Sequence, residues 1–524
     1  VSEDVSRRIR TVSLMLAVSA LLSRVLGYGR DWLINFEFGA TGQTDVYRAS
    51  FTVPDMLNYL LAGGALSVSL LPRMSALYSA EKDAPAGAER ESDRVFSLVA
   101  TNMAVLTAVL VLLAELATEP LVARWTDGFT PAKVAETAHL TRIVLPAQWF
   151  FICGGLVQAT LLARQSFRAM ALTPLLYNLG IIVGGLIGGR LGQIEGFSWG
   201  ALVGAILGGF VVPVWAARGQ LRFRPRFAPT HPEMRAFLVT ALPLMLGVGL
   251  TTVDEWLGKR YGSRLGDGAI SRLDTARKLM LVPIGLIGGA AGQATGAWLA
   301  KLWAEQRVDE FRQTLGDALA TVIGLSLAVS ALLAAAAEPV VSSLFAYGKF
   351  QHADAVLAAG ALQVMALGIA AWSAHQVLSR AFFALGDTWR PMVATTLVTA
   401  AMVPAYGLLT DWGGLRGLGV AGSVGMVLQV LALLGLARVR LQLPLRPLLG
   451  ATARSIVVAA LAGGAAWAAT ATLQGVWSGQ RGAWLQALAA GVAWLAVVLV
   501  VGGWLGLPGL QTLTHKIRRR LKMT

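Results

Sequence analysis

Only one cysteine, Cys153, occurs in 524 residues. A single thiol excludes an intramolecular disulfide and any cysteine-based metal cluster, and leaves packing as its role. Charge is scarce as well: Asp, Glu, Lys and Arg make up 14% of the chain, against about 25% in a soluble globular domain. There is no GxxxxGK[ST] phosphate loop, no HExxH, no paired Cys-x-x-Cys and no nucleophile elbow. No polar stretch is long enough to fold as an aqueous domain around such a motif; the longest, at 78–93 and 220–234, are of loop length. ATP hydrolysis is excluded on that ground, and the chain is expected not to be an enzyme.

What is abundant is apolar sequence. Hydrophobic residues account for 55% of the chain and the mean hydropathy is +0.62. Apolar runs of roughly 20 residues, the length that crosses a bilayer, recur from end to end. The fold class is therefore an all-α polytopic membrane protein. The N-terminus, VSEDVSRRIRTVSLMLAVSA, has the charged-then-apolar order of a signal peptide. No clean cleavage boundary precedes Arg24, so the run reads as a retained first span. A net charge of +15 raises nucleic-acid binding, but the basic residues fall in short loops between apolar runs, which is a membrane-orientation pattern.

About fourteen spans are expected, centred near residues 22, 58, 104, 152, 180, 207, 247, 287, 327, 368, 400, 427, 460 and 494. An even number puts both termini on one side. Arg7, Arg8 and Arg10 at the start, and Lys516, Arg518, Arg519, Arg520 and Lys522 at the end, make that side the cytoplasm. Alternate loops agree, with Arg164/Arg168, Arg218/Arg222/Arg224/Arg226, Lys301/Arg307, Arg380/Arg390 and Arg438/Arg440/Arg446 all inside.

An internal repeat is also present. Gly63-Gly64-Ala65 recurs as Gly288-Gly289-Ala290, Ala80-Glu81 as Ala304-Glu305, Glu119-Pro120 as Glu338-Pro339, and Ala163-Arg164 with Pro174 as Ser379-Arg380 with Pro391. The offset stays within 216–225 residues, which corresponds to six spans and preserves orientation. The expected organisation is a six-helix lobe at 1–217, a basic cytoplasmic linker at 218–235, a second six-helix lobe at 236–440, and two further spans with a basic tail at 441–524. Two parallel lobes around a midplane cavity suit alternating-access transport.

Charges inside apolar runs mark the candidate site, because a charge at bilayer depth costs about 2.5–3.5 kcal/mol on insertion scales. Residues 23–65 hold Arg24, Arg30 and Asp31 within the first run, and Asp45 and Arg48 at the mouth of the second. Arg24 and Arg30, six apart, would point to different faces of a regular helix; Gly27 and Gly29 could loosen it so that both enter one cavity. The alternative is that both snorkel to the edges of an ordinary span. Arg277 and Lys278 add cations from the second lobe, or anchor its outer edge. Arginine forks bind phosphate oxygens in pairs, so an anionic substrate, a phosphate or diphosphate, is inferred. Asp254 is a candidate for a coupling cation, sodium or proton, with His375, Ser379 or Thr395; it could equally pair with Lys259 or Arg260, and His375 could be a helix contact. No resident metal or other cofactor is expected.

Several segments, in order, are similar to one family. SRVLGYGRD at 23–31, Thr44 and Asp45, VPDMLNYLLAGGALSVSLLP at 53–72, LTPLLYN at 172–178, LFAYGKF at 344–350 and RAFFALGDTWRP at 380–391 resemble the MurJ/MviN family of lipid II flippases over about the first 440 residues. The resemblance implies a two-lobed fold of the multidrug/oligosaccharidyl-lipid/polysaccharide exporter superfamily. It implies movement of the undecaprenyl-diphosphate-linked peptidoglycan precursor from the inner to the outer leaflet of a bacterial cytoplasmic membrane, beside the peptidoglycan-synthesis machinery. By motif position Arg24, Arg30 and Asp45 match residues the family needs for activity. Two departures touch the substrate: Asn58 and Gly63 stand where the family usually has an arginine and a glutamate, and Ala276-Arg277-Lys278 replaces a common Ala-Asp-Arg. A flippase for another polyprenyl-diphosphate-linked oligosaccharide, of O-antigen or exopolysaccharide type, stays open beside lipid II. A cation-coupled exporter of small drugs fits less well, since a basic cavity has the wrong sign, and a non-transport scaffold is weaker still.

Overall fold

Lipid offers no partner to a backbone N–H or C=O, so a spanning segment must close its hydrogen bonds within itself or within a closed barrel. The computed structural model describes residues 3–62, 65–81, 90–246, 249–475 and 479–509, and every regular element among them is helical. Ten helical runs are individually long and apolar enough to cross a membrane, and one further pair, bent by 47°, passes when taken together. The chain forms two units, 1–247 and 248–524.

In the first unit α1 (Glu3–Phe38) leads to α2 (Gly42–Ser50), α3 (Thr52–Ala62) and α4 (Ala65–Ala80). There follow α5 (Glu91–Leu116), α6 (Thr118–Trp125), α7 (Pro131–Val144), α8 (Ala147–Ala163) and α9 (Arg168–Arg190). Then α10 (Glu195–Gly204) passes through a π turn, Ala205–Val211, into α11 (Val212–Ala216). Helix α12 (Pro232–Leu246), expected to open the second lobe, belongs instead with this unit. Its Met234, Phe237 and Ala241 are buried in the core formed by α3, α4, α5 and α8, and Glu233 accepts from Arg73 of α4.

The basic linker lies along α5. The N–H groups of Arg222, Arg224 and Arg226 donate to Asp93 Oδ1, Ser97 Oγ and Thr101 Oγ1 at 3.3, 3.1 and 3.1 Å. Alternate residues of an extended chain advance by about 7 Å and one helical turn by about 5.4 Å, close enough for three rungs before the two fall out of step.

The second unit runs through α13 (Leu250–Gly262), α14 (Ala269–Pro283), a π turn at Ile284–Gly289, α15 (Ala290–Ala304), α16 (Val308–Ala335) and α17 (Ala337–Phe345). It continues through the bent pair α18 (His352–Ala366) and α19 (Ile369–Ala384), then α20 (Trp389–Leu441), α21 (Leu445–Leu473) and α22 (Gly479–Trp504). Two expected spans meet inside α20 at Gly414, whose φ of 54° is left-handed and breaks the helix there. The expected spans near 58 and 247 are each divided, into α3/α4 and α12/α13, and their joins at 63–64 and 247–248 lie outside the described residues. Helical segments thus occupy the expected positions except 368, which falls at the bend between α18 and α19, and 247, which lies outside the described residues. The basic residues 516–522 of the tail also lie outside the described residues.

The repeat is visible in the element order: α5, α6, α7, α8 and α9 recur as α16, α17, α18, α19 and α20, with starts offset by 217–222 residues. The short α6 and α17 both carry Glu-Pro at their second and third positions, after a break at alanine, Ala117 and Ala336. The final pair, α21 and α22, has no counterpart in the first unit and packs on α16 and α17.

Close packing of α9 on α10 comes from glycine. Gly180, Gly184 and Gly188 on one helix meet Gly204, Gly200 and Gly196 on the other, all at four-residue spacing, so the backbones touch. A methyl group on Gly200 would stand 2.4 Å from the Gly180 carbonyl oxygen. Gly200→Ala should therefore cost about 1–3 kcal/mol of overpacking, read as a lower midpoint of thermal unfolding in detergent. Gly491→Ala, where nothing lies within 4 Å, should leave the midpoint unchanged or slightly raised. Equal midpoints for both variants would rule out the interlocked packing.

Candidate functional site

Helix α1 carries the first part of the site and is continuous through Gly27 and Gly29. The expected glycine loosening does not occur: helical backbone hydrogen bonds have no substitute in lipid, whereas an interior glycine costs only about 1 kcal/mol. Arg24 and Arg30 consequently have different surroundings. Arg24 is exposed, with no hydrogen bond or ion pair to another described residue. Arg30 is part-buried and held on two sides. Its Nε and Nη2 donate to Asp31 Oδ1 at 3.2 and 3.1 Å, and its Nη1 to Asn178 Oδ1 of α9 at 3.4 Å. Asn178 is aimed in turn by its own amide, which donates to Ser23 Oγ at 3.3 Å and to the Pro174 carbonyl at 3.0 Å.

Helix α2 supplies the second part. Asp45 and Arg48 are both buried, with 1% and 6% of their surface exposed. Arg48 Nη2 donates to Asn35 Oδ1 of α1 at 3.0 Å, and Asp31 and Asp45 are within electrostatic reach of its guanidinium. Two arginines and two aspartates therefore share one neighbourhood on α1 and α2, so the inferred surplus of positive charge is largely neutralised inside the unit. Arg24 remains as the accessible guanidinium. Asn58 does not join this group; its amide donates to Gln148 Oε1 of α8 at 2.7 Å.

The second unit brings together two residues that had been given separate roles. Asp254 of α13 and Arg277 of α14 form a buried ion pair, Nη1 to Oδ2 at 2.5 Å, and Arg277 Nη2 also donates to the Asp254 carbonyl at 3.1 Å. The Tyr406 hydroxyl of α20 donates to the other carboxylate oxygen, Oδ1, and Gly422 leaves room for it, since a methyl group there would lie 2.4 Å from that oxygen. Glu255 pairs with Lys259, and Lys278 with Asp274, one turn away in each case at 3.0 and 2.6 Å. Lys278 is thus engaged along its own helix. No hydrogen bond or ion pair joins His375, Ser379 or Thr395 to Asp254. Thr395 Oγ1 donates to the Pro391 carbonyl at 2.9 Å, and its own carbonyl accepts from Gln429 at 3.1 Å. Among the described residues no group of three or more His, Cys, Asp or Glu side chains is placed to hold a metal ion.

Sequence reasoning missed Asn35, Asn178, Gln148 and Tyr406. The first three carry a readable signal, a carboxamide inside an apolar run. Tyr406 carries none, because tyrosine at a span end is ordinary.

A family model described as lipid II flippase MurJ matches residues 34–486. The chain belongs to the MurJ family of lipid II flippases. Among curated relatives, a probable lipid II flippase MurJ of Bdellovibrio bacteriovorus is 27% identical over 461 residues, covering 85% of this chain and 86% of that one. The lipid II flippase MurJ of Burkholderia cenocepacia is 27% identical over 410 residues, covering 75% and 78%. A solved structure of lipid II flippase MurJ in an inward closed conformation superposes with a TM-score of 0.77 at 20% identity, covering 93% of this chain and 98% of that one. An inward-facing multidrug transporter of the MATE family, in the MOP superfamily, gives 0.63 at 17% identity, with 80% and 94% covered. At these identities the structures speak for the fold, and both share it with this all-helical, multi-pass membrane protein.

Proposed function

We propose that this MurJ-family chain carries lipid II from the inner to the outer leaflet of the bacterial cytoplasmic membrane by alternating access. The observation that supports it most is the α1/α2 cluster in which Asp31, Asn35 and Asn178 hold Arg30 and Arg48 in fixed positions while Arg24 stays exposed. Guanidiniums held side by side on α1 and α2 offer planar forks to the two phosphate groups of a polyprenyl diphosphate, Arg30 by exchanging Asp31 or Asn178 for a phosphate oxygen. The membrane potential supplies the drive. Moving an anionic headgroup outward from an inside-negative cell is downhill by about 2.3 kcal/mol per charge per 100 mV, so no ATPase is required. A coupling cation, sodium or proton, would engage Asp254 only by displacing Arg277 and Tyr406. Membrane lipids surround the protein, and enzymes of peptidoglycan synthesis are proposed as its neighbours.

The test is complementation of bacteria depleted of their own lipid II flippase, scored by lipid II exposed on the outer leaflet. Exposure should return to the undepleted level. One observation favours a second reading: Asn58 and Gln148 close on each other as a neutral pair where the family usually places an arginine. If exposure stays at the depleted level with the protein correctly inserted, and another polyprenyl-linked glycan is exported instead, that second substrate takes the place of lipid II.

Both termini and the linker are proposed to face the cytoplasm, from the loop charges. A single cysteine at position 229 in a Cys153→Ser background should resist a membrane-impermeant thiol reagent in intact cells and react after permeabilisation. Labelling in intact cells would invert the topology.

A further inference from the structure

Arg164 ends α8 and lies against Tyr78 of α4, its guanidinium carbon 4.1 Å from the ring centroid. Its Nε and Nη2 are withdrawn from solvent and make no hydrogen bond. A cation at a helix C-terminus is favoured by the helix dipole, but that does not account for covering its N–H groups. Part-buried N–H groups without an acceptor are costly, so the arrangement is incomplete as it stands. The guanidinium borders a cavity of about 880 Å³ in the first unit, which Arg90, Ser75, Gln165 and Gln220 also line. Arg90 forms no ion pair with a described carboxylate. Among the described residues the one acid on the wall is Glu81, already occupied, since Ser92 donates to both its oxygens, N–H to Oε1 at 2.7 Å and Oγ to Oε2 at 2.5 Å.

We propose that this cavity is a binding site for a phosphate group, with Arg164 and Arg90 as its cationic ligands and Ser75 and Gln220 as neutral donors. Among the described residues of the wall, two guanidiniums against one engaged carboxylate leave a positive surplus, and hydroxyl and amide donors suit phosphate oxygens. The site is separate from the Arg30 and Arg48 cluster and takes a ligand other than the transported molecule. Gln220 lies in the basic segment that runs along α5, so an occupant touches the stretch that leads from α11 to α12 within the first unit. The phosphate can come from a lipid headgroup or from solution.

The experiment uses the full chain in nanodiscs. In one arm the discs contain only phosphatidylcholine and sodium phosphate is titrated against sodium chloride at equal ionic strength. In the other the discs contain phosphatidylglycerol and the buffer no phosphate. A rise in the thermal midpoint in the first arm assigns soluble phosphate, and a rise confined to the second assigns a lipid headgroup. Arg164→Gln and Arg90→Gln should each weaken the effective arm about tenfold or more, the loss of one charge-assisted contact. Arg90 is exposed, so its variant folds even where Arg164→Gln does not. No rise in either arm, or a wild-type response from Arg90→Gln, overturns the site.

Discussion

Asp254→Ala should destabilise the protein by about 3–5 kcal/mol, because it leaves the buried Arg277 guanidinium without its counter-ion. The carboxylate accepts from Arg277 and from Tyr406 and lies almost wholly out of solvent. Removal therefore strands one charge and one hydroxyl at once. Arg277→Met should be nearly as damaging, since it leaves a buried carboxylate with a single neutral donor. Asp254→Leu combined with Arg277→Met removes both charges, and replacing a buried pair by apolar side chains of similar volume is often neutral. The double variant should thus recover most of the thermal stability that each single variant loses. That recovery separates stability from transport. If Arg277 also serves the substrate, the stable double variant stays inactive; if the pair is purely structural, transport returns with the fold. Single variants as stable as the parent would show that the ion pair does not form in the folded protein.

How far all this could be read from the sequence depends on whether a feature is local. Apolar runs and the charges that bound them located the spans, because bilayer thickness and backbone hydrogen bonding act on each segment separately. The Glu-Pro pairs at 119 and 338 located the repeat for the same reason, each marking the start of a short helix after a break. Contacts between helices were less legible. Arg277 lies 23 residues from Asp254 and Tyr406 lies 152 from it, and no periodicity links positions on three helices. Reading Arg277 as a phosphate ligand and Asp254 as a cation ligand followed from judging each charge by its own span. Helix α12 was placed in the wrong unit by a comparable route: its apolar face is plain in the sequence, but not which core would cover it. The glycines at 180, 184, 188, 196, 200 and 204 were visible at helical spacing all along, and their spacing of four is the signal that would have paired α9 with α10.

Arg24→Ala and Arg30→Ala should both abolish lipid II exposure in the complementation assay, yet differ in what they do to the fold. Arg24 is exposed and makes no hydrogen bond or ion pair with a described residue, so its removal should change stability by no more than about 0.5 kcal/mol. Arg30 is the partner of Asp31 and Asn178, and its removal leaves a buried carboxylate and a carboxamide oxygen short of donors, at about 1–3 kcal/mol. Loss of a charged hydrogen-bonding partner to the diphosphate is worth about 2–5 kcal/mol, roughly thirtyfold or more in affinity. Lysine should rescue only in part at either position, since an ammonium cannot reproduce the planar fork that meets two phosphate oxygens together. At position 30 lysine should also restore much of the stability through Asp31 while transport stays low, and that split distinguishes a substrate contact from a strut. Full transport in Arg24→Ala would remove the accessible guanidinium from the mechanism and leave substrate capture to Arg30, which would first have to exchange Asp31 or Asn178 for a phosphate oxygen.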